Sequence, residues 1–270
     1  MLIKQDFLYS VIELALQAGK IILKYYKNTH FELKKDGTPL SQADLQSHYF
    51  LTHELQKMNY APVCSEEDPM EYQDRKDLPF LWLLDPLDGT KDFLAQNDGF
   101  TVNIALLKNN LPILGVVYAP ALKELYYATK NNGAYFCQIQ ETFNPDNSIS
   151  LNCFNANNSR KPIACISNFH NTKETQEFIQ RYNLETLKLG SSLKLCALAS
   201  KKADIYPRFN GTKEWDTAAS DIILSESGGI ILDIETKKIL SYNKPDLRNN
   251  YFIAFSKDQI NGKIYRDFHS

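Results

Sequence analysis

No stretch of about 18 consecutive apolar residues occurs in this chain, so an ordinary membrane-spanning helix is not expected. The first residues, Met1 to Asp6, lack a long apolar signal core and a small-residue cleavage site, which argues against export. Paired cysteines are missing too. Cys64, Cys137, Cys153, Cys165 and Cys196 are odd in number, widely spread and never in C-x-x-C spacing, which excludes a zinc knuckle or a disulfide framework. Reduced thiols in a cytoplasmic protein fit that usage. Peripheral attachment to the cytoplasmic face of the inner membrane stays open, as does monomer against homodimer. An excess of one charge is also lacking: 30 Lys and Arg face 32 Asp and Glu, for a net charge of −2. Nucleic-acid binders carry a basic face, so DNA and RNA are excluded as partners, whereas a small anionic substrate is not. Internal repeats and low-complexity tracts are absent. What remains is a chain of 270 residues, 43% hydrophobic and 23% charged, which is enough to bury a large core as one big domain or two lobes.

The most informative segment is Trp82-Leu83-Leu84-Asp85-Pro86-Leu87-Asp88-Gly89-Thr90. An apolar, strand-like run stops and delivers two carboxylates and a hydroxyl. Pro86 has no N–H with which to continue a ladder, so the strand is expected to end at Asp85, and Gly89 permits a tight turn. Asp85, Asp88 and Thr90 then converge beyond the strand end, an arrangement that suits a hard divalent cation. A lone D-x-x-D is more often an acidic surface turn; the full D-P-x-D-G-T run after an apolar strand is much more specific.

Around this motif the pattern predicts a helix over 4–27, with Phe7, Val11, Leu14, Ala15, Ala18, Ile21, Ile22 and Tyr25 at helical spacing. Residues 32–39 are polar, contain Lys34-Lys35-Asp36-Gly37-Thr38-Pro39 and read as a turn or mobile loop. A second helix begins near Ser41, its expected N-cap, with Asp44 in the first turn, and runs to about Met58. A short strand leads into Glu66, a charged loop covers 70–78, and strand-like segments at 100–107, 112–118, 124–128 and 134–138 form an antiparallel meander. Residues 140–160 are rich in Asn and Ser and read as an exposed excursion. They mark an expected division into an N-terminal α+β lobe, 1–150, and a C-terminal α/β lobe, 151–270. In the second part strands (162–167, 186–189, 203–206, 230–234) alternate with helices (172–182, 191–201, 214–227), and Gly228-Gly229 stops the last helix.

Two more acidic elements accompany the turn. Glu66 sits in Ser65-Glu66-Glu67-Asp68-Pro69, and Asp216 sits in Glu214-Trp215-Asp216-Thr217-Ala218-Ala219 at an expected helix start. Taken singly, each has an ordinary explanation: a solvated loop for Glu66, and capping and the helix dipole for Asp216. As an ordered set with Asp85-Pro86-Leu87-Asp88-Gly89-Thr90-Lys91-Asp92-Phe93, they resemble the inositol monophosphatase superfamily over nearly the whole chain. Gly190-Ser191-Ser192-Leu193-Lys194-Leu195-Cys196 and Ala203-Asp204-Ile205-Tyr206-Pro207-Arg208-Phe209, with Lys91-Asp92-Phe93 in place of the commoner Thr-Asn-Phe, are similar to bacterial 3'(2'),5'-bisphosphate nucleotidases of the CysQ type. One departure is Ser167-Asn168-Phe169-His170, where Ser-Arg-Ser-His is usual.

The resemblance implies a layered αβαβα sugar-phosphatase fold of two lobes with the site between them. It also implies a Mg²⁺-dependent, lithium-sensitive phosphomonoesterase. Two or three Mg²⁺ ions would be held by Glu66, Asp85, the Leu87 carbonyl, Asp88 and Asp216, with Asp44, Thr90 and Glu66 as catalytic residues. A metal-activated water would give its proton to Thr90, hydrogen-bonded to Asp44. Gly89 and Thr90 N–H groups would bind phosphate oxygens. Ser191, Ser192, Lys194, Arg208 and His170 would contact the rest of the substrate, along with Glu66, Leu87, Asp88 and Asp216. Each of Lys194, Arg208 and His170 is otherwise an ordinary solvated residue, and Tyr206 reads as core. The implied reaction is removal of the 3'-phosphate of adenosine 3',5'-bisphosphate, a by-product of sulfate reduction. The alternatives are an inositol- or sugar-phosphate phosphatase on the same scaffold, or a non-catalytic nucleotide sensor.

Overall fold

A computed structural model describes residues 3–26, 31–33, 39–151, 160–169 and 171–270. Of the loop expected at 32–39, residues 32, 33 and 39 are strand instead, held by antiparallel pairing, and the rest lies outside the described residues, as do Cys153 and His170. The elements begin with α1 Gln5–Tyr25, β1 Phe31–Leu33, β2 Pro39–Ser41, α2 Gln42–Lys57, β3 Val63–Ser65 and α3 Tyr72–Arg75. They continue with β4 Phe80–Asp88, α4 Thr90–Leu94, β5 Thr101–Lys108, β6 Leu111–Ala119, β7 Glu124–Thr129, β8 Ala134–Gln138 and β9 Ile149–Leu151. Then come β10 Ile163–Ser167, α5 Lys173–Arg181, β11 Glu185–Leu189, α6 Leu193–Ala199, β12 Ile205–Arg208, α7 Ala218–Glu226, β13 Ile230–Asp233, β14 Phe252–Phe255 and α8 Lys263–His269.

Two large sheets organise these elements, beside the two-stranded antiparallel pair β1-β2. Strands β3 to β9 lie side by side in chain order, β3 parallel to β4 and every later pair antiparallel. The second sheet has the order β11-β10-β12-β14-β13, with crossovers that make β11, β10 and β12 parallel. Helices α1 and α2 cover one face of the seven-stranded sheet. Helices α6 and α7 fill the space between the two sheets, where Leu81, Val117, Leu195, Ile223 and Phe252 share one core. Helices α5 and α8 close the outer face of the second sheet through Phe178, Tyr182, Ile264 and Phe268. The result is the five-layer αβαβα stack. Helix α7 reaches β6 closely because residue 115 is glycine: a Cβ there would lie 2.3 Å from the Ala219 carbonyl oxygen. Cys64, Cys137, Cys165 and Cys196 are buried free thiols.

Several boundaries differ from the sequence expectation for local reasons. The ladder does not end at Asp85. Pairing with β5 resumes at Asp88↔Thr101 across a bulge, so Pro86 sits where its missing N–H costs nothing, and its carbonyl accepts from Ser47 Oγ at 2.8 Å. The charged stretch 70–78 contains the single-turn helix α3, whose Arg75 is buried. The expected exposed excursion begins with a 3₁₀ turn, Pro145–Asn147, and adds β9 as the last strand of the sheet. The helix expected over 214–227 is split into a 3₁₀ turn, Glu214–Asp216, and α7. In α1 the buried stripe is Leu8, Val11, Ile12, Ala15, Leu16, Ala18, Gly19 and Ile22; Phe7, Leu14 and Tyr25 only flank it.

Candidate active site

The bulge in β4 sets up the site. Asp85 is the last residue before it and Asp88 the first after it, so their side chains leave the sheet edge from different backbone settings. Gly89 follows with φ +87°, a left-handed conformation that glycine adopts without strain, and a Cβ there would lie 3.3 Å from the Gly99 carbonyl oxygen and from Ser191 Cβ. Thr90 then opens α4, with Phe93 N donating back to the Gly89 carbonyl. Thr90 Oγ1 donates to Asp44 Oδ1 at 3.2 Å and lies 3.5 Å from the Leu87 carbonyl oxygen.

Asp44 is fixed by the capping box of α2. The Ser41 N–H and Oγ–H both reach Asp44 Oδ2, at 2.8 and 2.5 Å, while Ser41 Oγ accepts from Asp44 N–H. One carboxylate oxygen therefore serves the helix start and the other serves Thr90. Asp44 is 1% exposed, which sets aside the reading of a solvated first-turn aspartate.

Glu66, Asp85 and Asp216 come from the end of β3, the end of β4 and the 3₁₀ turn before α7. Each places a carboxylate oxygen within 4.8 Å of the other two. Oxygens around one Mg²⁺ are separated by up to about 4.2 Å, twice the Mg–O distance. The donor set is all hard oxygen, and small side-chain adjustments bring it onto one ion, so these residues fit the cation. Burial pushes the Asp216 carboxyl well above the usual carboxylate range, and the charges of Asp88 and Glu66 push it further. The set thus carries a repulsion that a divalent cation would relieve.

Asp88 is held by one edge. Ser191 Oγ, at 2.6 Å, and Asn103 Nδ2, at 3.1 Å, both donate to its Oδ2. Asn103 Nδ2 also reaches Ser192 Oγ at 2.9 Å, and Ser192 donates to the Asp216 carbonyl oxygen at 2.6 Å. The hydroxyls expected to meet substrate therefore orient Asp88 and the Asp216 turn. Asn103 was not singled out from the sequence. A buried amide inside the apolar run Val102-Asn103-Ile104-Ala105 was the available signal.

A cavity of about 510 Å³ opens over these groups. Glu66, Leu87, Asp88, Gly89, Thr90, Ser191, Ser192 and Asp216 line it, and so do Lys194 and Arg208. The last two are not solvated surface charges: they are 5% and 8% exposed. Lys194 Nζ donates to the Ser191 carbonyl at 2.6 Å and lies 5.5 Å from the Tyr206 ring centroid. Burial, with the nearby Arg208 charge, pulls the Lys194 ammonium down to about 8. Arg208 Nε donates to the Asn210 carbonyl at 3.1 Å. Tyr206 is core, 4% exposed. Asp92 and Ser167, which the sequence offered only as members of the Lys91-Asp92-Phe93 and Ser167-Asn168-Phe169-His170 motifs, also line the cavity. Asn168, the departure from Ser-Arg-Ser-His, donates from Nδ2 to Asp92 Oδ1 at 2.6 Å.

Comparison with known proteins adds an independent line. Residues 4–270 match the model of the inositol monophosphatase family. The 3'(2'),5'-bisphosphate nucleotidase CysQ of Salmonella typhimurium is 37% identical over 238 residues, covering 86% of this chain and 92% of that protein. CysQ of Buchnera aphidicola is 35% identical over 266 residues, covering 97% of this chain and 93% of that protein. The crystal structure of CysQ from Bacteroides thetaiotaomicron superposes with a TM-score of 0.83 at 38% identity, covering 94% of this chain and 98% of that one.

Proposed function

The chain belongs to the inositol monophosphatase family, and on that premise we propose that it is a Mg²⁺-dependent 3'(2'),5'-bisphosphate nucleotidase that converts adenosine 3',5'-bisphosphate to AMP and phosphate. The observation that carries this reading is a three-carboxylate cluster, Glu66, Asp85 and Asp216, of which Glu66 and Asp216 line the same cavity as two buried cations, Lys194 and Arg208. A substrate with two phosphates answers both. The cavity is of the size that encloses a small-molecule ligand. The high-coverage likeness to proteins named as CysQ nucleotidases supports the same choice.

Glu66, Asp85 and Asp216 would hold Mg²⁺, with Asp88 and the Leu87 carbonyl as further oxygen donors of the set. When bound, Mg²⁺ neutralises phosphoryl charge and lowers the pKa of an attacking water. Thr90 Oγ1, whose own proton points at Asp44 Oδ1, has lone pairs left to accept the water's proton as it passes its own to Asp44. The water oxygen bonds to phosphorus as the P–O3' bond breaks, and the ribose oxygen leaves as a hydroxyl after taking a proton from solvent. Lys194 and Arg208 hold the 5'-phosphate and so fix which ester faces Thr90. Asp92, fastened by Asn168, forms part of the adjoining wall.

The test is phosphate release from adenosine 3',5'-bisphosphate and from inositol 1-phosphate, each with Mg²⁺ and with chelator, with the nucleoside product identified. Mg²⁺-dependent release from the nucleotide, leaving 5'-AMP, is the expected result. Preference for inositol 1-phosphate would overturn the substrate assignment. Binding of the nucleotide without turnover would make the protein a sensor. Among the described residues no helix is long and apolar enough to cross a membrane.

A further inference from the structure

Two of the carboxylates that would hold the metal, Glu66 and Asp216, are far apart in sequence, and their like charges oppose the approach that the cluster requires. A buried polar chain joins the segments that carry them. It starts at Glu214, two residues before Asp216 and 0% exposed. Its carboxylate accepts from Asn243 N–H at 2.5 Å, from Lys244 N–H at 3.1 Å and from Lys244 Nζ at 2.6 Å. The Glu214 N–H donates to the Leu247 carbonyl at 2.8 Å, so the 3₁₀ turn is clasped to the 243–247 loop by side chain and backbone together.

Asn243 passes the connection on. Its Oδ1 accepts from Arg75 Nη1 at 2.8 Å, and its Nδ2 donates to the Arg75 carbonyl at 2.9 Å and to Asn110 Oδ1 at 3.1 Å. Its φ is +61°, a left-handed conformation that few residues other than glycine and asparagine accept readily. That conformation lets Asn243 face Glu214 with its backbone and Arg75 with its amide. Arg75, 1% exposed, also donates from Nε to the Met70 carbonyl at 3.1 Å and from Nη2 to the Pro245 carbonyl at 3.3 Å. Met70 N–H in turn points at Cys64 Sγ at 3.4 Å, two residues before Glu66.

We infer that Arg75, Asn243 and Glu214 are positioning residues for the metal centre. They form a clamp that sets the separation of the Glu66 and Asp216 carboxylates before the cation arrives. None of the three touches the reacting atoms. A buried, hydrogen-bonded network resists displacement, and groups that orient metal ligands commonly control affinity by about 10- to 100-fold. The inference rests on the assignment of Glu66 and Asp216 as metal ligands. It does not depend on which phosphoester is the substrate.

Asn243→Gly tests it, because glycine keeps the left-handed backbone while deleting the joint between Arg75 and Glu214. The readout is Mg²⁺ alone, titrated calorimetrically into the metal-free, substrate-free protein, with circular dichroism to establish that the variant is folded. The comparison variant is Asn110→Gly, also at a left-handed position (φ +66°), which removes a bond to the same amide and leaves the Arg75-to-Glu214 path intact. Asn243→Gly is expected to weaken Mg²⁺ binding by about tenfold, and Asn110→Gly to leave it unchanged even where it lowers the melting temperature. Wild-type Mg²⁺ affinity in folded Asn243→Gly overturns the clamp, as does equal weakening in both variants, which would mark a general loss of stability. If Asn243→Gly does not fold, Glu214→Gln carries the test with the same two outcomes, since it keeps the side-chain shape and loses the charge that gathers Lys244. Absence of Mg²⁺ binding in the wild type removes the metal assignment and the clamp with it.

Discussion

The carboxylates and the cations of the cavity are built in opposite ways. Glu66, Asp85 and Asp216 come from three distant stretches of chain and carry like charge, and Asp216 is strained by its neighbours. Lys194 and Arg208 also repel each other, yet each is fastened to backbone carbonyl oxygens: Lys194 to Ser191, Arg208 to Asn210. Both sets are held in place by the protein, the carboxylates by the N–H groups of Leu87 and Lys213, but the first calls for a cation to relieve its repulsion, whereas the second already rests against carbonyl oxygens. Loss of a carboxylate should therefore abolish chemistry and metal-linked stability together. Loss of a cation should change only which substrate is preferred.

The sharpest way to break that contrast is Asp85→Asn. Phosphate release is expected to fall on the order of a thousandfold or more. Mg²⁺ is expected to raise the melting temperature of the wild type by roughly several degrees, and that rise should vanish in the variant. Thermal unfolding with and without Mg²⁺, beside a phosphate assay, measures both. Next comes Thr90→Val, which removes the proton acceptor and keeps the carboxylates. A loss in kcat of about a hundredfold or more is expected, with the Mg²⁺-induced stabilisation intact; loss of that stabilisation would place Thr90 in the metal set instead.

On the cation side the expected effects are smaller and fall on KM. Lys194→Met should raise KM for adenosine 3',5'-bisphosphate by about 10- to 100-fold, the worth of a charged hydrogen bond, and change little for adenosine 3'-monophosphate. The smallest effect is with pH. Lys194 titrates near 8 in the folded protein, so its charge is complete below that value and is lost above it. KM for the bisphosphate should stay low below pH 8 and climb by up to about tenfold per unit above it, a limb that Lys194→Met should lack. The stability consequence has the other sign. The folded pKa lies below that of the unfolded chain, so the cost of burying the ammonium is full below pH 8 and is relieved as pH rises through it.

The same contrast explains what the sequence made legible. The anionic set announces itself because the turn Asp85-Pro86-Leu87-Asp88-Gly89-Thr90 is one contiguous backbone device, and because the acid-rich flanks of Glu66 and Asp216 lie in short, ordered motifs. The antiparallel meander and the alternating second half were readable from periodicity for the same local reason. The bulge at Pro86 was not, since it depends on Ser47 and on pairing with Thr101, neither of which is near in sequence. Burial of Lys194, Arg208 and Arg75 was equally hidden. A charged residue is placed inside only when carbonyls and amides from other elements meet it, and that is a property of the assembled layers. Ser191 and Ser192 were visible as a motif, but the hydrogen bond from Ser191 to Asp88, and the Asn103 amide shared by Asp88 and Ser192, emerged only when the layers were brought together.

The most direct measurement is the ratio of kcat/KM for adenosine 3',5'-bisphosphate to that for adenosine 3'-monophosphate, in saturating Mg²⁺ near pH 7.5. If the carboxylates do the chemistry and Lys194 and Arg208 read the second phosphate, the ratio should exceed about a hundred, two charged hydrogen bonds' worth. Equal values for the two substrates would contradict the division of the cavity into a chemical set and a recognition set.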